Sequence, residues 1–121
     1  MLKIFIADDS AVIRERLMIM LSEIDGLSVI GEARESHETL ECIKVLKPDL
    51  VVLDICLSDS SGLDVLKGLK GTEYSENRRC RPKVIVFTNF PSPQFQKACF
   101  QLGADFFFDK SNEYRELLEV L

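Results

Sequence analysis

The sequence predicts an α/β protein built on a doubly wound parallel β-sheet. Two observations lead to this fold class. Strand-like apolar runs alternate with helical apolar spacings five times along 121 residues, which favours right-handed β-α-β crossovers. Several of these runs are almost continuously apolar and rich in β-branched residues, as is typical of strands covered by helices on both faces. We therefore expect one domain over residues 1–121, a length suited to a single core.

Five strands are predicted from runs that combine apolar residues with high β-propensity. They are Leu2–Ala7, Ser28–Ala33, Leu50–Ile55, Lys83–Thr88 and Asp105–Asp109. The first, third and fourth runs are nearly continuous in apolar residues, so these should be parallel strands covered on both faces.

Helices are predicted between the strands and after the last one, because apolar residues recur there at spacings of three and four. The apolar stripes are Ile13, Leu17, Met20, Leu21 and Ile24; Leu40, Ile43 and Leu46; Leu63, Leu66 and Leu69; Phe95, Ala98, Cys99 and Leu102; and Tyr114, Leu117, Leu118 and Leu121. Ser10 and Ser36 are candidate N-caps, Gly26 and Gly103 follow helix ends, and Pro48 ends the second helix.

The composition excludes several classes of function. The chain has 15 Lys and Arg against 20 Asp and Glu, for a net charge of −5, which argues against direct nucleic-acid binding or adsorption to an anionic membrane. No apolar run is long enough for a membrane span, and no secretory signal precedes the first strand, so we expect a cytoplasmic protein. Four dispersed cysteines and one histidine do not form a zinc motif.

Chemically active side chains follow the predicted strands where parallel strands end. Asp8 and Asp9 follow the first strand, Asp54 ends the third, Thr88 the fourth, and Lys110 follows the fifth. Ligands bind at this edge of doubly wound sheets. Three carboxylates in one place repel each other unless a cation neutralises them, and oxygen ligands suit Mg²⁺ or Mn²⁺.

The same residues suggest phosphoryl-transfer chemistry. A carboxylate such as Asp54 can act as a nucleophile and form an aspartyl-phosphate. The divalent ion and the Lys110 ammonium would balance the charge that develops on the phosphoryl oxygens, and Thr88 could donate a hydrogen bond to one of them. Any one of these residues alone is ordinary in a loop or at a strand end. Their joint occurrence at four strand ends indicates a site.

Five segments of the chain resemble the receiver domain of two-component response regulators. They read "IADDS" (Ile6–Ser10), "PDLVVLDI" (Pro48–Ile55), "SGLDVL" (Ser61–Leu66), "VIVFTN" (Val84–Asn89) and "GADFFFDKS" (Gly103–Ser111). The resemblance implies a flavodoxin-like fold with five parallel strands in the order 2-1-3-4-5 and five flanking helices. It also implies a signalling switch that catalyses only its own phosphorylation and dephosphorylation.

The resemblance also implies a role for each residue of the metal and phosphate site. Asp54 would be the phosphoacceptor and a Mg²⁺ ligand. Asp9 would bind the metal directly, Asp8 would hold it largely through water, and the backbone carbonyl of Cys56 would complete the protein ligands. Lys110 would pair with a phosphoryl oxygen.

Two residues would carry the switch that the resemblance implies. The Thr88 hydroxyl would move towards the phosphoryl group, and Phe107 stands at the position of the family's switch aromatic, whose rotamer differs between the two states. Phe107 lacks the hydroxyl of the tyrosine that is common at that position.

The partners that the resemblance implies are proteins. A sensor histidine kinase or phosphotransfer protein would donate the phosphoryl group. The fourth helix, fifth strand and fifth helix would contact an effector domain, a target protein or a second copy in a homodimer. The final "LLEVL" carries no helix-ending signal, so we expect an effector domain or linker beyond Leu121, with a stand-alone receiver as the alternative.

Three other functions are open to such a sheet. A phosphatase that uses an aspartyl-phosphate usually has a second Asp two residues after the nucleophile, where this chain has Cys56, and it also needs a cap domain. A pseudo-receiver would keep the fold as a docking module with an idle acidic site. A flavin-nucleotide binder would need a phosphate loop after the first strand, where Asp8 and Asp9 would instead repel the phosphate.

Overall fold

The computed structural model describes residues 1–58, 61–70, 82–89, 92–110 and 114–121. Five parallel strands form one sheet in the order β2-β1-β3-β4-β5. Both the fold class and the strand order expected from the sequence are confirmed. Within these described ranges, no helix combines the length and apolar character that crossing a membrane requires.

The strands and helices alternate along the chain in the predicted order. The strands are β1 (Leu2–Ala7), β2 (Leu27–Ala33), β3 (Leu50–Leu53), β4 (Lys83–Thr88) and β5 (Phe106–Asp109). The helices are α1 (Ala11–Ser22), α2 (Ser36–Leu46), α3 (Gly62–Lys70), α4 (Pro93–Gln101) and α5 (Tyr114–Glu119). β3 ends two residues before the predicted Ile55, because its neighbour β1 ends at Ala7, which pairs with Leu53.

Local signals at the helix ends agree with the sequence except at α2. The Ser10 side chain accepts a hydrogen bond from the Ile13 amide at 3.3 Å and so caps α1. Ser36 was predicted as the cap of α2, but it is the first helical residue and the extended Glu35 occupies the cap position. α2 ends before Pro48, with Lys47 in the left-handed region at φ 50°.

The sheet separates two apolar layers, and alternate residues of each strand belong to opposite layers. On β1, Phe5 and Ala7 pack in the layer beneath α2, α3 and α4, whereas Ile4 and Ile6 pack in the layer beneath α1 and α5. All four are at most 1% exposed. Covering on both faces explains why the central strands read as continuous apolar runs.

Candidate functional site

Three site residues each follow the end of a strand, at the carboxyl edge of the sheet. The Asp8 amide donates to the Ala33 carbonyl at 3.0 Å, and the Asp54 amide donates to the Ala7 carbonyl at 2.9 Å. The Lys110 amide donates likewise to the Thr88 carbonyl at 2.9 Å. These bonds continue the strand ladders by one residue, so the sheet fixes the backbone from which each polar side chain extends.

The three predicted carboxylates come together at this edge. Asp8, Asp9 and Asp54 each offer an oxygen, and these oxygens lie within 4.8 Å of one another. Asp8 is 2% exposed and Asp54 is 4% exposed, whereas Asp9 is exposed to solvent. The cluster therefore has two carboxylates held inside the protein and one at its mouth, where an ion could enter from solvent.

Lys110 joins the two buried carboxylates. Its Nζ donates to Asp54 Oδ2 at 2.8 Å and also contacts Asp8 Oδ2. Burial alone lowers the pKa of this ammonium, but its bonds to Asp54 and Asp8 outweigh burial and raise the pKa above its ordinary value. One ammonium cannot neutralise three carboxylates, so the cluster still attracts a cation.

The pKa of the Asp8 carboxyl reflects both its burial and the excess negative charge of the cluster. Burial raises the pKa of its carboxyl above the ordinary value, although the bonds from Lys110 and from the Ser10 amide, at 2.9 Å, act in the opposite direction. The nearby Asp54 charge raises this pKa further. The ionised form of Asp8 is thus less stable here than in water, and a divalent ion would stabilise it.

One oxygen of Asp54 tests whether the cluster fits a metal ion. Asp54 Oδ1 is buried and has no hydrogen-bond partner, and among the described residues it shares this property only with the Tyr114 hydroxyl. A buried acceptor without a partner costs about 1–3 kcal/mol. Asp54 belongs to a cluster of three carboxylates, and carboxylate oxygens are the donors that Mg²⁺ prefers, so the residues fit that ion.

The structure also places the remaining predicted residues. Thr88 ends β4, is fully buried, and neighbours Lys110 through the backbone bond described above. Phe107 is partly buried on β5 and packs against the layer beneath α2, α3 and α4. Cys56 lies two residues beyond Asp54 with an exposed side chain. Desolvation and the Asp54 and Asp9 charges raise the pKa of its thiol, as expected of an inert cysteine.

Gly62 contributes to the site but was not recognised from the sequence. Its amide donates to the Ile55 carbonyl at 2.5 Å, and a Cβ at this position would lie 2.1 Å from the backbone oxygen of Asp54. Only a residue without a side chain allows α3 to begin so close to the Asp54 backbone. The one available signal was a glycine at a helix start, where Ser, Thr, Asp and Asn are commoner caps.

Arg14 was also missed. Its Nη1 donates to the Asp8 carbonyl at 2.6 Å, and its Nε donates to Glu32 Oε1 at 3.1 Å. The apolar stripe of α1 gave no reason to single out a charged residue between the stripe positions. Both hydrogen bonds depend on the tertiary fold, which places the start of α1 and the end of β2 beside the carboxyl end of β1.

Comparison with known protein families shows which family this chain belongs to. The response regulator receiver domain family matches residues 4–121. The chain belongs to this family. The receiver-domain resemblance noted in the sequence is thereby confirmed, and the protein is a receiver domain of the two-component response regulator type.

Relatives and solved structures agree with this assignment. A Pseudomonas aeruginosa protein named for transcriptional regulation is 35% identical over 118 residues, which cover 98% of this chain and 54% of that protein. Response regulator GacA of Pseudomonas syringae is 28% identical over 100% of this chain and 54% of its own. The crystal structure of a receiver domain protein from Methanospirillum hungatei matches this chain with a TM-score of 0.83 at 26% identity. The match covers 99% of this chain and 90% of that one.

The matched relatives are longer than this chain. The chain spans about half the length of the regulators just named, and it spans 33% of a protein-glutamate methylesterase/protein-glutamine glutaminase of Clostridium acetobutylicum, at 30% identity.

Proposed function

We propose that this receiver domain, as a single unit over residues 1–121, is a Mg²⁺-dependent phosphoacceptor switch with Asp54 as the acceptor. One observation carries the proposal. Asp54 is buried between the Lys110 ammonium and the acidic pair, with one oxygen bound to Lys110 and the other without a partner. The large majority of buried side-chain polar atoms have a hydrogen-bond partner, so the unpartnered oxygen calls for a role beyond the fold.

The transfer reaction forms one bond and breaks one. An oxygen of Asp54 forms a bond to phosphorus while the bond from phosphorus to the donor's leaving atom breaks, and the leaving group takes up the electron pair and later a proton. Lys110, already beside Asp54, exchanges its carboxylate contact for a phosphoryl oxygen. The buried ammonium balances the added negative charge without reorganising water.

Four residues would hold the metal. Asp9 would bind it directly, Asp8 would hold it largely through water, and Asp54 and the Cys56 backbone carbonyl would complete the protein ligands. When bound, Mg²⁺ (or Mn²⁺) neutralises the carboxylates and polarises the phosphoryl group. The unpartnered oxygen of Asp54 and the exposed carboxylate of Asp9 support this assignment.

The switch proceeds through Thr88 and Phe107. The Thr88 hydroxyl donates to a phosphoryl oxygen once Asp54 is modified, and the change alters the rotamer of Phe107 on the adjacent β5. The domain then changes the balance between two states that partners distinguish. It turns over no substrate other than its own phosphoryl group.

The partners and the compartment follow from this chemistry. A cytoplasmic sensor histidine kinase or phosphotransfer protein supplies the phosphoryl group. The surface of α4, β5 and α5 contacts an effector domain, a target protein or a second copy. Two large apolar side chains of α4 are available to that surface, because Phe95 is 39% exposed and Phe100 is 44% exposed.

The test is intact-mass spectrometry after incubation with acetyl phosphate, with Mg²⁺ or with EDTA. We expect wild type to gain one phosphoryl mass only with Mg²⁺, and Asp54→Asn to gain none. Asp25→Asn is the matched control, because Asp25 is exposed and precedes β2 at the opposite edge of the sheet. It should gain the phosphoryl group as wild type does.

The other outcomes separate the alternatives. No adduct in wild type, together with no binding of beryllofluoride and Mg²⁺, would contradict the proposal and indicate a docking module. Repeated Asp54-dependent hydrolysis of an added phosphomonoester would instead indicate a phosphatase.

A further inference from the structure

Arg14 connects three elements at the acidic cluster. It lies in the first turn of α1, and its guanidinium extends back over the turn from β1 to the carbonyl of Asp8 and across to Glu32 of β2. The Arg14 side chain is 14% exposed and the Glu32 side chain is 37% exposed. Hydrogen bonds from a guanidinium are roughly twice as strong as those between neutral groups, so this contact constrains the turn.

The carbonyl that Arg14 holds belongs to the peptide plane that leads into Asp9. Because that peptide is planar, fixing the Asp8 oxygen also fixes the Asp9 amide and the direction in which the Asp9 backbone leaves. The other polar groups of Asp8 are held by Ala33, Ser10 and Lys110. Asp9 itself is exposed, so its position depends on the backbone on either side, where Ser10 caps α1.

Electrostatics and positioning predict opposite effects for Arg14. A guanidinium near a cation site repels the cation, so its charge alone would weaken Mg²⁺ binding, and the ion pair with Glu32 reduces that repulsion. The contact with the Asp8 carbonyl would strengthen binding, because it keeps the Asp9 carboxylate beside Asp8 and Asp54. Replacing Arg14 therefore distinguishes the two effects. Mg²⁺ affinity would rise if charge repulsion dominated and would fall if positioning dominated.

We propose that Arg14 is a positioning residue that strengthens Mg²⁺ binding by fixing the Asp8–Asp9 peptide, with Glu32 orienting its guanidinium. This inference rests on the proposed function, since it assumes that the cluster binds Mg²⁺. It concerns residues that touch neither the metal nor the phosphoryl group. Partners of this kind outside the ligand set typically change metal affinity by about 10–100-fold.

The experiment is a titration of the protein with Mg²⁺ alone, followed by the NMR shifts of backbone amides. We expect Arg14→Met to raise the Mg²⁺ dissociation constant by about tenfold. Arg16→Met is the matched control. It removes the same charge from the same helix, at an exposed side chain that lies 5.7 Å from the centre of the Tyr114 ring, and it should leave the dissociation constant unchanged or lower.

Two further variants keep the inference testable if Arg14→Met folds poorly. Arg14→Lys keeps the charge but cannot hold both partners in the same geometry, so its dissociation constant should lie between those of wild type and Arg14→Met. Glu32→Gln leaves the Asp8 contact in place and should weaken Mg²⁺ binding less than Arg14→Met does. An unchanged dissociation constant in Arg14→Lys would overturn the inference whether or not the Met variant folds.

A kinetic measurement separates positioning from a merely structural role. The rate of phosphorylation by acetyl phosphate should return towards the wild-type rate in Arg14→Met when Mg²⁺ is saturating. A rate that stays low at saturation would overturn the inference. Failure of wild type to bind Mg²⁺ would overturn the proposed function and this inference together, whereas equal binding by wild type and Arg14→Met would overturn the inference alone.

Discussion

The interior of the sheet and the buried residues of its carboxyl edge are equally shielded from solvent but are built from opposite chemistry. Along β1, residues Ile4 to Ala7 are at most 1% exposed, and the next residue, Asp8, is 2% exposed. Inside the sheet, each apolar side chain contacts others of its own layer. At the edge, two buried carboxylates share one ammonium, and one of their oxygens has no partner.

The difference shows which region stabilises the other. Burying an apolar side chain stabilises the fold by about 1.5–3 kcal/mol, whereas burying charges carries a desolvation cost that pairing only partly offsets. The strands therefore hold the edge residues in place, and the buried charges of the edge lower the stability of the fold. A bound metal ion would reduce this loss of stability.

The largest effect on stability should come from truncating a residue of the interior. Phe87 is 1% exposed, and its ring meets the Tyr114 ring edge-on at a centroid distance of 4.8 Å. We expect Phe87→Ala to lower the free energy of unfolding by about 3–5 kcal/mol, measured by urea denaturation. Phe95→Ala removes the same ring from a position that is 39% exposed and should cost clearly less. Similar losses in both variants would contradict the contrast between layers and surface.

Removing the central ammonium should have an effect of about the same size. Lys110→Met leaves Asp8 and Asp54 buried without a cation, and breaking such a pair costs about 3–5 kcal/mol at neutral pH. Lys83→Met, at an exposed residue of β4, is the control and should change little. The measurement is the free energy of unfolding of the three proteins in EDTA.

The loss in Lys110→Met should also depend on pH. The pKa of the Asp8 carboxyl is already raised in the folded protein, and removing the ammonium raises it further. A raised carboxyl pKa stabilises the protonated folded state, so the contribution is present at acid pH and is lost as pH rises through that pKa. The deficit of the variant should therefore shrink as the solution is acidified. A deficit that grows on acidification would contradict this account of the edge.

A methyl group beside Asp54 should have an intermediate effect. In Gly62→Ala the new Cβ would lie 2.1 Å from the Asp54 backbone oxygen, so the backbone must move. We expect a loss of about 1–3 kcal/mol and slower phosphorylation, measured by denaturation and intact mass. In Gly68→Ala the nearest atoms are the ends of the Leu40 side chain at 2.8 Å, which can rotate away. Phosphorylation should be normal in that control, and equal slowing in both variants would argue against a specific role for Gly62.

The smallest effect should come from the N-cap of α4. Ser92 accepts a hydrogen bond from the Phe95 amide at 3.2 Å at the start of α4. Ser92→Ala should cost about 1 kcal/mol in thermal or urea unfolding and leave Mg²⁺ affinity unchanged. A change in Mg²⁺ affinity would show that α4 and the acidic edge are coupled more closely than their separate contacts suggest.

The sequence predicted those features that depend on local pattern. The continuous apolar run of β4 identified a strand buried on both faces, and its bounds, Lys83–Thr88, are those observed. Asp8, Asp54 and Lys110 could be grouped in advance, because parallel strands place their carboxyl ends at one edge. The roles assigned to them, and to Thr88, Phe107 and Cys56, stay predictions.

Other features depend on tertiary geometry that no local pattern encodes. Arg14 contacts Glu32 from 18 residues away, and the constraint on Gly62 comes from the close approach of α3 to the Asp54 backbone. The N-cap of α2 is Glu35 rather than the predicted Ser36, because the helix begins one residue earlier than the sequence suggested. Side-chain reach, backbone proximity and the last residue of a segment are set by packing.

The most direct test of this account is the effect of Mg²⁺ on the free energy of unfolding of wild type and Asp9→Asn. Asp9 is exposed and belongs to the carboxylate cluster, so its replacement should remove a metal ligand while keeping the Lys110 contacts. We predict that Mg²⁺ at ten times its dissociation constant stabilises wild type by about 1.4 kcal/mol and that Asp9→Asn responds much less at the same concentration. Equal stabilisation of the two proteins, or none in either, would contradict the claim that the carboxyl edge is a metal site.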